Sequence, residues 1–207
     1  MEKKHLVLAS GSPRRKELLS QLGYEFSVLV TDVEECKHAQ ETAEEYVKRL
    51  SLDKALAALF LLKDNPSERQ HVVSSSDTVD HGSDIVVLGS DTVVVSQGQV
   101  LEKPTDFADS KRMLTQLANE RHQVMTAVSV VSEEKQRTEV IITDVWFKPL
   151  SEKEIEQYWQ TGEPCDKAGS YGIQGLGGRF VTRIEGSYYA VVGLPLFETD
   201  QLLQEFL

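Results

Sequence analysis

The chain is poor in cysteine, with only Cys36 and Cys165 among 207 residues. They have no metal-ligand spacing and no partner motif, which argues against a thiolate zinc site or a disulfide-built scaffold. Reduced thiols in a cytoplasmic protein are expected, with a disulfide as the alternative. The histidines His5, His38, His71, His81 and His122 show no ligand spacing either. Long apolar runs are also missing. The longest, Ala55 to Leu62, falls far short of the ~20 residues a membrane helix needs. Met1-Glu2-Lys3-Lys4 leads into an apolar stretch too short for a signal peptide. Basic charge is in deficit: 22 Lys and Arg face 33 Asp and Glu, a formal net charge of -11. That balance excludes nucleic acid and anionic membrane as general partners. There is no Walker A loop, no dinucleotide fingerprint and no repeat at a period of roughly 20 to 50 residues.

Against this acidic background stands a basic island at the front of the chain. Leu6, Val7 and Leu8 form an apolar strand core, and Ser10-Gly11-Ser12-Pro13-Arg14-Arg15 follows at once. Ser12 suits an N-cap and Pro13 the first helical position. A helix opening there aims free N–H groups and positive dipole at whatever sits in the turn. Two hydroxyls and two guanidinium groups surround the same spot, and Arg favours bidentate phosphate contacts. The pattern reads as a polyphosphate site; its alternative is an ordinary capped helix with two solvated arginines.

Helices and strands then alternate, as in an α/β protein with a mixed sheet. Glu25 to Val30 reads as a strand, and Thr42 with Glu45 as a capping box. Asp64 to Asp84 lacks periodicity and reads as a long surface loop. Ile85 to Gly89 is a continuous apolar strand suited to a buried position. Val93 to Val95 and Val100-Leu101 flank a Gln97-Gly98 hairpin turn. Asp106 starts a helix, His122 to Val131 and Thr138 to Phe147 read as strands, and Ser151 with Glu154 is a second capping box. Phe180 to Ile184 and Tyr188 to Val192 read as a hairpin across Glu185-Gly186-Ser187, before a closing helix from Pro195.

Chemistry-bearing residues sit where these elements end. Asp91, in Gly89-Ser-Asp-Thr92, follows the apolar strand, and ligands in open α/β sheets lie beyond the carboxyl ends of strands. Asp91 is therefore a candidate metal ligand or general base; its alternative is an Asp that starts a turn. Asp77 has similar neighbours but no such strand before it. Lys103, before Pro104, is held out of helical geometry and within reach of a phosphate, or is simply solvated. Lys54 faces a cleft or solvent. Asp166-Lys167-Ala168-Gly169 leads into a loop, Tyr171 to Gly178, whose glycines allow close backbone approach to a ligand.

Taken together, these segments and His122-Gln-Val-Met-Thr-Ala127 resemble the Maf family of nucleoside triphosphate pyrophosphatases, in order and over nearly the whole chain. The likeness is greatest to the dTTP/UTP branch. The resemblance implies one domain over 1–207 with an α/β fold: a mixed twisted sheet with flanking helices and two lobes around a central cleft, of the Maf and inosine-triphosphatase-like type. It implies hydrolysis between the α and β phosphates with a divalent metal, Mg2+, Mn2+ or Co2+. Asp91 corresponds to the proton acceptor. Ser10, Arg14, Arg15, Lys54, Lys103 and Lys167 correspond to the lining of the phosphate and metal site. Arg14, Thr92 and Gln174 fall where the branches differ in base preference. Asp91 and Glu34 are the expected metal ligands. The expected partner is a nucleoside triphosphate, with no nucleic acid and no membrane, and a homodimer is left open. The alternatives are a pyrophosphatase for modified purine triphosphates such as 7-methyl-GTP, and a non-catalytic nucleotide-binding regulator of cell division.

Overall fold

A computed structural model describes residues 4–65 and 85–207. It is an α/β fold. Strand β1 (His5–Ala9) pairs in parallel with β2 (Phe26–Val28) on one side and β3 (Ile85–Ser96) on the other. A parallel strand flanked on both edges and covered on its faces needs the unbroken run Leu6 to Ala9, and all four residues are buried. Between β1 and β2 lies α1 (Pro13–Gln21), with Ser12 as N-cap and Pro13 at its start. The chain turns out of it at Gly23, whose φ of +80° favours glycine. Helix α2 (Ala43–Asp64) opens with the Thr42–Glu45 capping box and buries Tyr46, Val47, Leu50, Ala55, Ala58, Leu59 and Leu62. Asp64 closes α2 and Asn65 caps it. The rest of the expected Asp64 to Asp84 loop, Asp77 included, lies outside the described residues.

Strand β4 (Gln99–Leu101) returns antiparallel to β3 through Gln97 and Gly98, both with positive φ, the geometry of a tight hairpin turn. Then come α3 (Phe107–Leu117), β5 (Arg121–Val131), β6 (Gln136–Phe147) and α4 (Glu152–Trp159). Asp106 caps α3, and Ser151 with Glu154 forms the capping box of α4. After three short 3-10 turns, β7 (Val181–Glu185) lies antiparallel to β6, and α5 (Tyr188–Val192) and α6 (Leu196–Gln204) close the chain. The sheet is mixed and has the order β2-β1-β3-β5-β6-β7, with β4 on β3.

Two expectations fail. The first apolar strand does not stop at Gly89; β3 continues through Ser90, Asp91 and Thr92 to Ser96. Asp91 is thus inside a strand, not beyond its end. The polar residues are tolerated there because they find partners; buried Ser90 donates to the Gly193 carbonyl at 3.1 Å. Tyr188 to Val192 is a helix and not the second strand of a hairpin. Gly186, at φ +130°, turns the chain, and the Ser187 hydroxyl accepts from Ala190 N–H at 3.2 Å as a helix cap does.

The chain forms two compact units. The first comprises Met1–Asp91, Ala127–Val140 and Gly193–Leu207; the second Thr92–Thr126 and Ile141–Val192. The first packs α2 against the strands through Val7, Ala9, Ala55, Ala58, Leu62, Val87 and Val131. The second is built on aromatic rings in edge-on contact: Phe147 with Tyr171 at 4.7 Å and Tyr158 with Phe180 at 5.0 Å between centroids. Among the described residues no helix is long and apolar enough to cross a membrane.

Candidate active site

In the first unit, the turn after β1 folds around Ser10. Its buried hydroxyl accepts from Ser12 N–H at 3.2 Å and from an Arg15 terminal nitrogen at 3.5 Å. The Arg15 Nε donates to the Gly193 carbonyl at 2.9 Å, so the guanidinium is held from two sides. Burial pulls the Arg15 pKa below its ordinary value; the Asp91 charge opposes this, Arg14 adds to it, and Glu35 opposes it. A guanidinium starts so high that it stays charged. Two cations and two carboxylates therefore feel one another here.

Gly89 fixes the geometry next to them. A Cβ at this position would collide with the Ser51 carbonyl and come within 2.9 Å of Ala55 N. Only glycine lets α2 lie this close to β3. Ser51 Oγ donates to the Gly89 carbonyl at 3.2 Å, which locks the contact. One turn along α2, Lys54 reaches Asp91 Oδ1 at 2.7 Å and Glu35 Oε1 at 2.5 Å. Lys54 and Asp91 are largely buried, with 12% and 11% of their side chains exposed, whereas Glu35 is 41% exposed. One ammonium thus gathers two carboxylates. Glu34, the expected metal ligand, instead lines an open groove with Cys36, Arg49, Asp53 and Leu56. Glu35, not Glu34, is the carboxylate that shares Lys54 with Asp91. Cys36 and Cys165 are free and exposed.

In the second unit, Thr92 and Thr126 share a hydrogen bond of 3.0 Å, and Thr126 donates to the Ala190 carbonyl at 2.7 Å. Thr126 has one proton to give, so Thr92 is the donor between the two. Helix α5, unforeseen in the sequence, thereby sets the direction of the Thr92 hydroxyl. Lys103 is exposed, and its loop is tied to the Lys167 loop by Gly169 N–H donating to the Glu102 carbonyl at 3.1 Å. Lys167 Nζ donates to the Glu163 carbonyl and to Asp166, both at 2.7 Å. Gln174 stands exposed on the glycine-rich loop.

That loop has an anion of its own. Leu176 and Gly177 N–H groups donate to the two oxygens of Glu163 at 2.8 and 2.9 Å, and the Tyr158 hydroxyl donates to the same carboxylate at 2.7 Å. Burial would raise the Glu163 pKa, but these donors and the nearby Lys167 charge outweigh it and hold it below the usual range. Its glycines are there because there is no room: a Cβ at Gly175 would strike the Glu163 carboxylate, and one at Gly177 would come within 2.6 Å of the Tyr158 hydroxyl. The loop wraps a protein carboxylate with these two amides, which are not offered to a phosphate. Among the described residues no group of three or more His, Cys, Asp or Glu could hold a metal.

The geometry can be set beside known proteins. The chain is 68% identical over 202 residues to a protein of Vibrio parahaemolyticus named dTTP/UTP pyrophosphatase, covering 98% of this chain and 97% of the relative. A protein of Vibrio cholerae with the same name is 61% identical over 201 residues, 97% of each chain. One of Hahella chejuensis, again so named, is 47% identical over 204 residues, covering 99% of this chain and 93% of the relative. The model of the Maf-like protein family matches residues 5–206. A match of that extent, in a mixed α/β fold that gathers Asp91, Lys54 and Arg15 in one unit, assigns the chain to the Maf family of nucleoside triphosphate pyrophosphatases.

Proposed function

We propose that this protein hydrolyses dTTP and UTP to the nucleoside monophosphate and pyrophosphate, acting as one domain over 1–207 in the cytoplasm, with neither nucleic acid nor membrane as partner. The observation that carries this reading is the Lys54 ammonium bridging Asp91 and Glu35 beside Arg15. A triphosphate brings about four negative charges, and catalysis of its cleavage is mostly positioning and charge stabilisation. Ser10, Arg14 and Arg15 would take phosphate oxygens; Lys103 and Lys167 are further candidates for that role. Asp91 would accept the proton of the attacking water. The bond formed joins the water oxygen to the α-phosphorus; the bond broken releases pyrophosphate. Lys54 holds Asp91 Oδ1 and so orients the carboxylate that receives the proton.

The donor set fits a divalent cation. Asp91 and Glu35 already converge on one positive charge, and hard oxygen donors suit Mg2+, Mn2+ and, among softer ions, Co2+. One or two carboxylates plus substrate phosphates is the usual way proteins hold Mg2+. Such an ion, once bound, would neutralise charge on the phosphates. Base preference would rest on Arg14, Thr92 and Gln174; the Thr92 hydroxyl, its proton given to Thr126, presents a lone pair that suits the N3–H of a pyrimidine ring.

The test is a panel of triphosphates, with pyrophosphate release measured in Mg2+, Mn2+ or Co2+. kcat/KM should be higher for dTTP and UTP than for 7-methyl-GTP. Asp91→Asn should reduce kcat by roughly 10² or more. A wild type that prefers 7-methyl-GTP would overturn the base assignment, and full activity in Asp91→Asn would overturn the proton acceptor.

A further inference from the structure

We infer that Glu163 is a positioning residue for base selection: its carboxylate fixes the crest of the loop that presents Gln174. The inference rests on the reading of Gln174 as a base-contacting residue. Gln174 lies between two anchors. On one side, Gly172 N–H donates to the Tyr158 hydroxyl at 3.1 Å. On the other, Leu176 and Gly177 donate to Glu163 at 2.8 and 2.9 Å. Tyr158 joins the anchors by donating to Glu163 at 2.7 Å. Three loop residues, Ile173 to Gly175, span the gap between them. Two charge-assisted backbone bonds give such a loop far more definition than its own glycines can, since glycine carries the largest backbone freedom.

Only a carboxylate meets these demands. Three donors point at two oxygens, and a carboxylate accepts from all three. An amide at the same place offers one acceptor oxygen, and its NH2 would face a donor. Glu163→Gln therefore keeps the size of the side chain and breaks at least one anchor. The loop then samples other conformations, and Gln174 loses its fixed place. Discrimination between bases depends on polar groups held in place, so it should suffer before the phosphate chemistry does.

The experiment uses the whole chain as wild type, Glu163→Gln and Tyr158→Phe, with dTTP and 7-methyl-GTP as substrates. Wild type should favour dTTP. In Glu163→Gln, KM for dTTP should rise about tenfold, kcat should stay within about threefold, and the dTTP to 7-methyl-GTP ratio of kcat/KM should fall about tenfold. Tyr158→Phe keeps the ring in the aromatic core and removes two bonds, the one to Glu163 and the one from Gly172, while leaving both loop amides on the carboxylate; it should move the ratio the same way by less, and it decides the matter if Glu163→Gln does not fold. A Glu163→Gln enzyme with the wild-type ratio, from a wild type that does favour dTTP, overturns the positioning role. So does a fall in kcat with KM and ratio unchanged. A wild type without preference for dTTP overturns the base-reading premise itself, and that result is seen before any variant is made.

Discussion

His122 is neutral because of where it sits. Its ring is buried, edge-on to Phe147 and Tyr171 at 4.9 and 5.5 Å, with Nε2 on the Tyr171 hydroxyl at 2.8 Å. Burial brings its pKa down from 6.5 to about 4, against the pull of the Asp144 charge. The unfolded chain therefore binds a proton between those values that the folded chain refuses. Stability is fully present above pH 6.5 and falls as pH drops toward 4, by at most about 3 kcal/mol. Glu41 and Glu154, both held near 2 by hydrogen bonds and charge from Arg49 and Lys148 respectively, lose their contribution lower, between 4.5 and 2. Urea midpoints from pH 7 to pH 4 should fall less steeply in His122→Gln than in wild type; parallel slopes would mean His122 carries no such linkage. The sequence marks His122 within a motif, as it marks Asp91 and Arg15, whereas it marks Lys54 only through the family resemblance. It does not mark Glu35 or Glu163. Each acts on groups more than ten positions away, Lys54 for one and Leu176 and Gly177 for the other, and no local pattern records a contact of that span.

At the level of elements, what is coded locally could be read. The two capping boxes, the Ser12-Pro13 helix start and the Gln97-Gly98 turn are each specified by a few adjacent residues, and each forms as expected. The failures occur where the decision is tertiary. Gly-Ser-Asp looks like the end of a strand until Gly193 and Lys54 supply partners from elsewhere. Tyr-Tyr-Ala-Val-Val suits strand or helix, and the Ser187 cap decides it. Gly89 shows how strongly such packing shapes the site. In Gly89→Ala the added methyl meets backbone atoms of Ser51 and Ala55, which cannot rotate away. Helix α2 must shift, and Lys54 with it. Overpacking of this kind costs about 1 to 3 kcal/mol. Urea unfolding should show that loss, and kcat/KM for dTTP should fall about tenfold or more as Lys54 leaves Asp91. A destabilised variant with wild-type kcat/KM would mean that the Lys54–Asp91 distance does not govern the reaction.

For the molecule as a whole, the governing number is the net charge of -11. The protein must bind a polyanion while repelling polyanions at long range. The resolution lies in distance. At ~0.15 M salt the screening length is about 8 Å, so the acidic surface is felt weakly and the arginines of the Ser10 turn act on whatever touches them. A nucleotide's phosphates are small enough to lie against that turn. A nucleic acid must lie along the surface, where most of the charge is of its own sign. Proteins that bind nucleic acid do so more tightly as salt falls, because they release counterions from the phosphates. This one should not: a labelled duplex should show no retention at ~150 mM salt, and none at about 20 mM, where repulsion is stronger. Arg15→Ala should lower kcat/KM for dTTP roughly ten- to a hundredfold, the range expected when a charged hydrogen-bond donor worth about 1.5 to 3 kcal/mol is lost. Duplex binding that strengthens as salt falls would show that the basic turn belongs to a larger electropositive face. An Arg15→Ala enzyme with wild-type kcat/KM would show that the guanidinium serves only to tie Ser10 to Gly193.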